Sequence, residues 1–414
     1  MSGGCGVSEG NGRPALRVGI VGLGIAGSSM VPALQKHPNV RLTAVSTRNE
    51  ERGRKFAEDF PVEVYPGIEE LCESESVDAV YVATPTQLHG EHAIIAAERG
   101  KHVIVEKPIA VTLEEAGAMI EAAERNGVKM VVGPSQSFEP PIRKIREIVE
   151  GGSLGRVRMI HNWYFNDWMY RPRTPDELDT GQGGGVTYRQ GAHQFDIIRL
   201  IGGGMVRSVR AMTGRWDDDR PTEGAHSVFL EFEDRTAATA VYNGYDRFHT
   251  TEITFGIGEG GPLVTSDVYG RSRKLIRKSG GSDAEVALKD AAGYGGERAK
   301  NYAKTEPHHP FFGLTVVSCE RGDIRQSPDG LLVYGPEEKE EVILPKDVTG
   351  RDALIGELYE AVANDEAPLH DGRWGRANIE VCVAALESAR ERKEVYLSHQ
   401  TPVPEKGNAL PQAR

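Results

Sequence analysis

From residue 16 to about residue 137 the chain alternates short continuous apolar runs with longer amphipathic segments. The run LRVGIVGLG, beginning at Leu16, shows no polar alternation, which predicts a strand buried on both faces. A helical segment follows to Pro38, with Pro32 placed to kink it. VRLTAVSTR then predicts a strand, NEERGRKFAEDF a helix, VDAVYVATP a second buried strand and HGEHAIIAAERG another helix. KHVIVEKP and VKMVVGPS predict two more strands, separated by the helix TLEEAGAMIEAAERNG. In that helix Thr112 and Glu115 have capping-box spacing and Gly127 marks the end. Strand–helix alternation with buried strands implies a parallel, doubly wound sheet of the Rossmann type.

Beyond residue 137 the rhythm changes. PPIRKIREIVEGGSLG predicts a helix with prolines at its start. VRMIHNWYFN predicts a strand, and a loop rich in Pro, Asp and Arg leads to the helix RQGAHQFDIIRLIGG. VRSVRAMTGRW, AHSVFLEFED, TAATAVYNGY and TTEITFGI follow with turn signals between them, which predicts an antiparallel meander. Residues 258–310 are Gly-rich and predict a long irregular excursion. LTVVSCERGD, GLLVYG and EEVILP predict further strands or a hairpin, and helices over about 351–364 and 374–393 finish the fold. The expected organisation is α/β: a tail at 1–15, a Rossmann domain at 16–137, an α+β domain with an open, mostly antiparallel sheet at 138–397, and a tail at 398–414.

Composition narrows the functional classes. Of 414 residues, 61 are acidic and 49 basic, a net charge of −12. A nucleic-acid backbone calls for the opposite sign, so no such partner is expected. No apolar run approaches the roughly 20 residues that span a bilayer, and the Gly/Ser-rich start lacks the layout of a signal peptide. Cys5, Cys72, Cys319 and Cys382 are scattered without CxxC or Cys/His clustering. Neither a disulfide framework nor a metal site is expected, and a cytoplasmic location is.

The chemistry concentrates in four places. Gly22-Leu23-Gly24-Ile25-Ala26-Gly27 is G-x-G-x-x-G between a predicted buried strand and a predicted helix. That context marks a dinucleotide site: Gly22 for the tight turn, Gly24 for close approach of a pyrophosphate, Gly27 for helix–strand packing. At the end of the second strand an acid would hold the ribose of NAD, but the chain reads Ser46-Thr47-Arg48 with no acid before Glu50. Arg48 suits a 2′-phosphate, so either NAD or NADP fits, with a lean toward NADP. Thr84, Pro85 and His89 fall at the carboxyl edge of the sheet and are expected along the cofactor, with neither His89 nor His92 catalytic. Glu106-Lys107-Pro108 ends the next strand, where burial would lower the lysine's pKa and let it move a proton.

The fourth place is GGGVTYRQGAHQFD, residues 183–196. The order G-x-G-x-x-G, then EKP, then this stretch resembles the Gfo/Idh/MocA oxidoreductase family over roughly residues 16–395. The resemblance implies a Rossmann domain followed by an α/β domain with an open sheet, NAD(P)-dependent oxidation of a hydroxyl, and a homodimer or homotetramer. It also implies Lys107 and His193 as the catalytic pair, with Asp196 orienting the imidazole or holding substrate. Members acting on sugars usually carry Asp four residues before the histidine. Here the residue is Arg189, which exchanges an acceptor for hydroxyls for a fork of donors suited to a carboxylate. Trp163 and Tyr164, with Arg171 and Arg173 close behind, add flat apolar surface and further guanidinium groups. The expected substrate is therefore an anionic ring. The stretches RQGAHQFDIIRLIGGG and CERGDIRQSPDGLLVYG resemble members that oxidise a phthalate cis-dihydrodiol to its catechol. A sugar, polyol or sugar-acid dehydrogenase stays open, as does a non-catalytic dinucleotide sensor.

Overall fold

A computed structural model of the chain describes residues 14–264, 269–302 and 306–404. The expected N-terminal tail lies almost wholly outside them. Strands β1 (Leu16–Val21), β2 (Val40–Ser46), β3 (Glu63–Tyr65), β4 (Ala79–Val82), β5 (His102–Val105) and β6 (Met130–Val132) form one parallel sheet, ordered β3-β2-β1-β4-β5-β6. Its helices are α1 (Ile25–Lys36), α2 (Glu50–Asp59), α3 (Ile68–Glu73), α4 (His89–Glu98) and α5 (Leu113–Arg125). β3 and α3 are too short to leave a periodic signal. Helix α1 continues through Pro32. At α5 the predicted box forms: Thr112 Oγ1 accepts from Glu115 N at 3.1 Å, and Glu115 Oε2 accepts from Thr112 N at 3.1 Å.

The second sheet holds β7 (Val157–Phe165), β8 (Val206–Gly214), β9 (Ala225–Phe232), β10 (Ala237–Asn243), β11 (Leu314–Cys319), β12 (Gly322–Ser327), β13 (Gly330–Tyr334), β14 (Lys339–Ile343) and β15 (Val395–Tyr396). Their order is β14-β13-β12-β11-β7-β10-β9-β8-β15. Pairing is antiparallel except where β7 runs parallel to β10. Helices α6 (Pro140–Glu150), α7 (Ala192–Gly202) and α11 (Gly372–Glu391) pack their apolar stripes on one face, with Ile145, Ile197 and Ala385 fully buried. Helix α10 (Gly350–Ala363) returns to the first sheet, where Leu354 joins the cluster of Val18 and Ile20. No helix among the described residues is long and apolar enough to cross a membrane.

Three expectations change. TTEITFGI is not a strand: Thr250–Glu252 is a 3-10 turn, and Phe255 and Gly256 take positive φ, which no strand admits. Thr250 Oγ1 instead accepts from Phe165 N at 2.6 Å and terminates β7. The excursion carries two helices, α8 (Arg271–Ser279) and α9 (Ser282–Asp290), which contact the loop after β7 at Asp167 and α2 at Arg52. The C-terminal tail is docked from residue 398 to the end of the described residues: Ser398 N and His399 N donate to Glu380, and Val403 N donates to Gly203 O.

Candidate active site

The carboxyl ends of β1, β2, β4 and β5 open onto a cleft of about 920 Å³, closed on its far side by the residues before α7 and by α9. The turn after β1 contributes Gly22, Gly24, Ile25 and Ala26. A Cβ on Gly24 would meet nothing within 4 Å, so the backbone there faces open space in which a pyrophosphate fits. A Cβ on Gly27 would lie 1.9 Å from Gly22 O, so α1 starts this close to β1 only without a side chain. Gly27 is thus structural and stands behind the cleft wall. Thr47 and Arg48 line the cleft after β2, and Thr84, Pro85 and His89 after β4. His89 is 1% exposed, with ring nitrogens 2.9 Å from Thr84 O and 2.9 Å from Pro108 O. It ties the β4 and β5 loops together, and burial lowers its pKa to about 4.

Glu106 and Lys107 leave β5 in opposite senses. Tyr81 donates to Glu106 Oε1 at 2.5 Å beneath the sheet edge, while Lys107 Nζ reaches across to Arg189 O at 3.3 Å. Burial lowers the Lys107 pKa to about 8, against the attraction of Glu106. Arg189 belongs to a single π-helical turn, Thr187–Gly191, that enters α7; such turns often mark functional sites. His193 sits in the first turn of α7, its Nδ1 3.3 Å from Ser135 Oγ and its ring edge-on to Phe312 at 4.9 Å. Burial, then the cations Lys107 and Arg351, hold its pKa well below the usual imidazole value.

The charged wall beside Lys107 is organised by a residue that sequence reading passed over. Glu177, 3% exposed, accepts from Arg189 at 2.8 Å and Arg173 at 3.3 Å, and also contacts Lys289. These cations hold its carboxyl well below the normal range, although burial opposes them. Arg189 also donates to Thr86 Oγ1 at 2.8 Å, and Arg173 stacks on Trp168 at 3.9 Å. Thr174-Pro175-Asp176-Glu177 does carry a local signal, capping-box spacing with Pro at N1, and that box forms. Nothing local marks Lys289 or Glu259, which the excursion brings in from far along the chain.

Several expected residues lie elsewhere. Trp163 is 43% exposed, because strand alternation puts it on the open face of the second sheet, opposite the helices. Tyr164 faces inward but does not itself line the cleft; its hydroxyl donates to Glu259 at 3.2 Å. Arg171 is likewise held back, by Asp167 at 2.8 Å and Glu259 at 3.1 Å. Both contact Glu259, which does line the cleft. Asp196 does not touch the imidazole. Its oxygens accept from Trp374 Nε1 at 2.6 Å and from Ser137 Oγ, a buried network that pins α7 to α11. Ser135 is the residue at the His193 ring.

The family models agree with this architecture. The oxidoreductase family with an NAD-binding Rossmann fold matches residues 16–134, and the GFO/IDH/MocA C-terminal domain matches residues 142–261. The chain is 37% identical over 379 residues to 1-carboxy-3-chloro-3,4-dihydroxycyclo hexa-1,5-diene dehydrogenase of Comamonas testosteroni, covering 91% of this chain and 95% of that one. A crystal structure from Bordetella bronchiseptica RB50 superposes with a TM-score of 0.87 at 42% identity, over 92% of this chain and 100% of the other. The WlbA dehydrogenase of Bordetella pertussis, solved with NADH and UDP-GlcNAcA, shares the fold at a TM-score of 0.68 and 18% identity, over 93% and 99% of the two chains.

Proposed function

Because the chain belongs to the GFO/IDH/MocA oxidoreductase family, we propose that it oxidises a hydroxyl of a carboxylated cyclic diol, with a nicotinamide dinucleotide as hydride acceptor. One observation carries the substrate class: beside Lys107, a single carboxylate, Glu177, is shared among Arg173, Arg189 and Lys289. Those four side chains together carry a net positive charge, with Asp176 and Glu259 lining the same cleft, and their guanidinium and ammonium donors suit an anionic substrate better than a neutral sugar. The named activity of the Comamonas relative, on a carboxylated cyclohexadiene diol, supports the same class.

The dinucleotide, when bound, supplies the nicotinamide carbon that takes the hydride from the substrate carbinol. Lys107 in its neutral form accepts the hydroxyl proton, so the C–H pair leaves as hydride and a ketone forms. Where the ring is a cyclohexadiene cis-diol, tautomerisation of that ketone to a catechol restores aromaticity and draws the reaction forward. His193, whose pKa is held down by burial and by the neighbouring cations, acts as a neutral donor. Ser135 Oγ lies 3.3 Å from Nδ1, and the tautomer in which Ser135 donates is the one that would keep a proton on Nε2 for the substrate oxygen. These roles reverse the intrinsic order, in which an imidazole is the better base near neutrality.

A panel of carboxylated cyclic cis-diols, neutral cis-diols and sugar acids, read by dinucleotide absorbance, tests the substrate class. Turnover of sugar acids alone would assign the family's sugar chemistry instead. Within that panel, Arg189→Met is expected to raise KM for a carboxylated diol by about tenfold to a hundredfold, the loss of one charge-assisted hydrogen bond. KM for the neutral diol and dinucleotide affinity stay within about threefold, the scale of a screened charge change. Equal effects on charged and neutral diols would remove Arg189 from carboxylate binding.

The open face of the second sheet supports a homo-oligomer. Trp163, Val241, Ser227 and Met212 form one cross-strand row, and Phe229 lies in the next. Trp163, Met212, Phe229 and Met159 are all exposed there, an apolar surface of the kind that subunits cover. Trp163→Glu is expected to shift the sedimentation mass to that of a monomer; an unchanged mass would place the interface elsewhere.

A further inference from the structure

Residues 286–294 cross from the substrate side of the cleft to its dinucleotide side. Val286, Lys289, Asp290 and Gly293 line the same cavity as Ser46, Thr47, Arg48 and Arg52 at the end of β2. The segment is fixed there by contacts that span the first turn of the Rossmann sheet. Tyr294 N donates to Leu23 O at 3.1 Å, inside the glycine-rich turn. The Tyr294 ring meets Phe56 edge-on at 4.6 Å, and its hydroxyl donates to Asp59 at 2.5 Å. Lys55 Nζ donates to Gly295 O at 3.1 Å.

The central contact is ionic. Arg52 NH2 donates to the main-chain oxygen of Asp290 at 3.1 Å and to its Oδ1 at 3.0 Å. The Arg52 side chain is largely enclosed, whereas that of Asp290 is 63% exposed. The carboxylate therefore keeps acceptor capacity open to the cleft. β2 itself ends without an acid, and two arginines, Arg48 and Arg52, stand in its place. Of the two, Arg52 is already paired, whereas Arg48 is exposed to solvent.

We propose that Asp290, supplied by α9 from the far end of the excursion, is the residue that sets the dinucleotide preference, and that it favours NAD over NADP. It occupies Arg52, which otherwise offers a second guanidinium to a 2′-phosphate. Its carboxylate accepts hydrogen bonds from ribose hydroxyls, the part an acid at the end of β2 plays in other dinucleotide folds. A 2′-phosphate would bring further negative charge against it, and like charges repel. The lean toward NADP read from Arg48 is thereby reversed. The inference rests on the dinucleotide reading of the cleft but concerns only which dinucleotide is taken.

Equilibrium binding of NAD and NADP to the purified full-length protein, by titration calorimetry, tests it without reference to turnover. The wild type is expected to bind NAD more tightly. Asp290→Ala and the shape-preserving Asp290→Asn are each expected to shift the affinity ratio toward NADP by about twofold to fivefold, the scale of one partly exposed charge pair. Adding Arg52→Ala to Asp290→Ala removes the part of that shift contributed by the freed guanidinium and leaves the part due to the lost carboxylate. A wild type that prefers NADP, or a ratio indifferent to both Asp290 variants, overturns the proposal. A wild type that binds neither dinucleotide overturns the dinucleotide reading itself, and this inference with it.

Discussion

Replacing Lys107 by methionine is expected to lower kcat for diol oxidation by about 10²- to 10⁴-fold, the usual contribution of a positioned acid or base. Methionine keeps the apolar stem, and Nζ makes a single long bond, to Arg189 O at 3.3 Å, so the fold and dinucleotide affinity are expected to survive. The pH profile gives a sharper readout than the rate. Oxidation needs the neutral amine, and burial lowers the Lys107 pKa to about 8. The wild-type kcat/KM should therefore rise with pH up to about 8 and level off above it. In the methionine variant the residual rate should lose that limb. In the reductive direction the charged amine is the acid, and the slope inverts. A limb near pH 8 that persists in the variant would assign the titration to another group, and a limb centred well below 6.5 would point to His193.

What was legible in the chain followed the range of the interaction that decides it. The glycine-rich turn and the capping box at Thr112 depend on neighbours within a few residues, and both form as the spacing requires. The cleft also brings together Lys107, Arg189 and His193, which come from β5 and from the turn and helix at α7. The aromatic stretch failed on parity. A strand sends Trp163 and Tyr164 to opposite faces, and composition alone does not tell which face the helices cover. Asp196 shares α7 with His193, but Ser137 and Trp374 claim its oxygens from two other elements. The excursion was least legible. Its glycines suggested irregularity, whereas Lys289 and Asp290 matter through contacts with Glu177 and Arg52, more than a hundred residues away in sequence.

Glu177→Gln is expected to cost about 3–5 kcal/mol of stability at neutral pH, the penalty of leaving buried cations without their counter-charge. Glutamine preserves the shape and can still accept from Thr174 N, which Glu177 Oε2 does at 3.1 Å. The loss therefore isolates the charge shared by Arg173, Arg189 and Lys289. The sign of the pH dependence follows from the direction of the shift. The folded-state pKa of Glu177 lies well below its unfolded value, which is about 4.3. Its contribution is complete above the unfolded pKa and is lost as pH falls through the folded one. Urea midpoints of wild type and variant should thus differ most at pH 7 and converge in strong acid. Function should move differently from stability. Removing the carboxylate leaves three cations unshared, so a carboxylated diol or a small dicarboxylate inhibitor should bind at least as tightly to the folded variant, in contrast to the loss expected for Arg189→Met. Equal urea midpoints at pH 7 would show that the cluster does not need its acid. Weaker anion binding by the folded variant would mean that Glu177 holds the cations in place for substrate rather than competing for them.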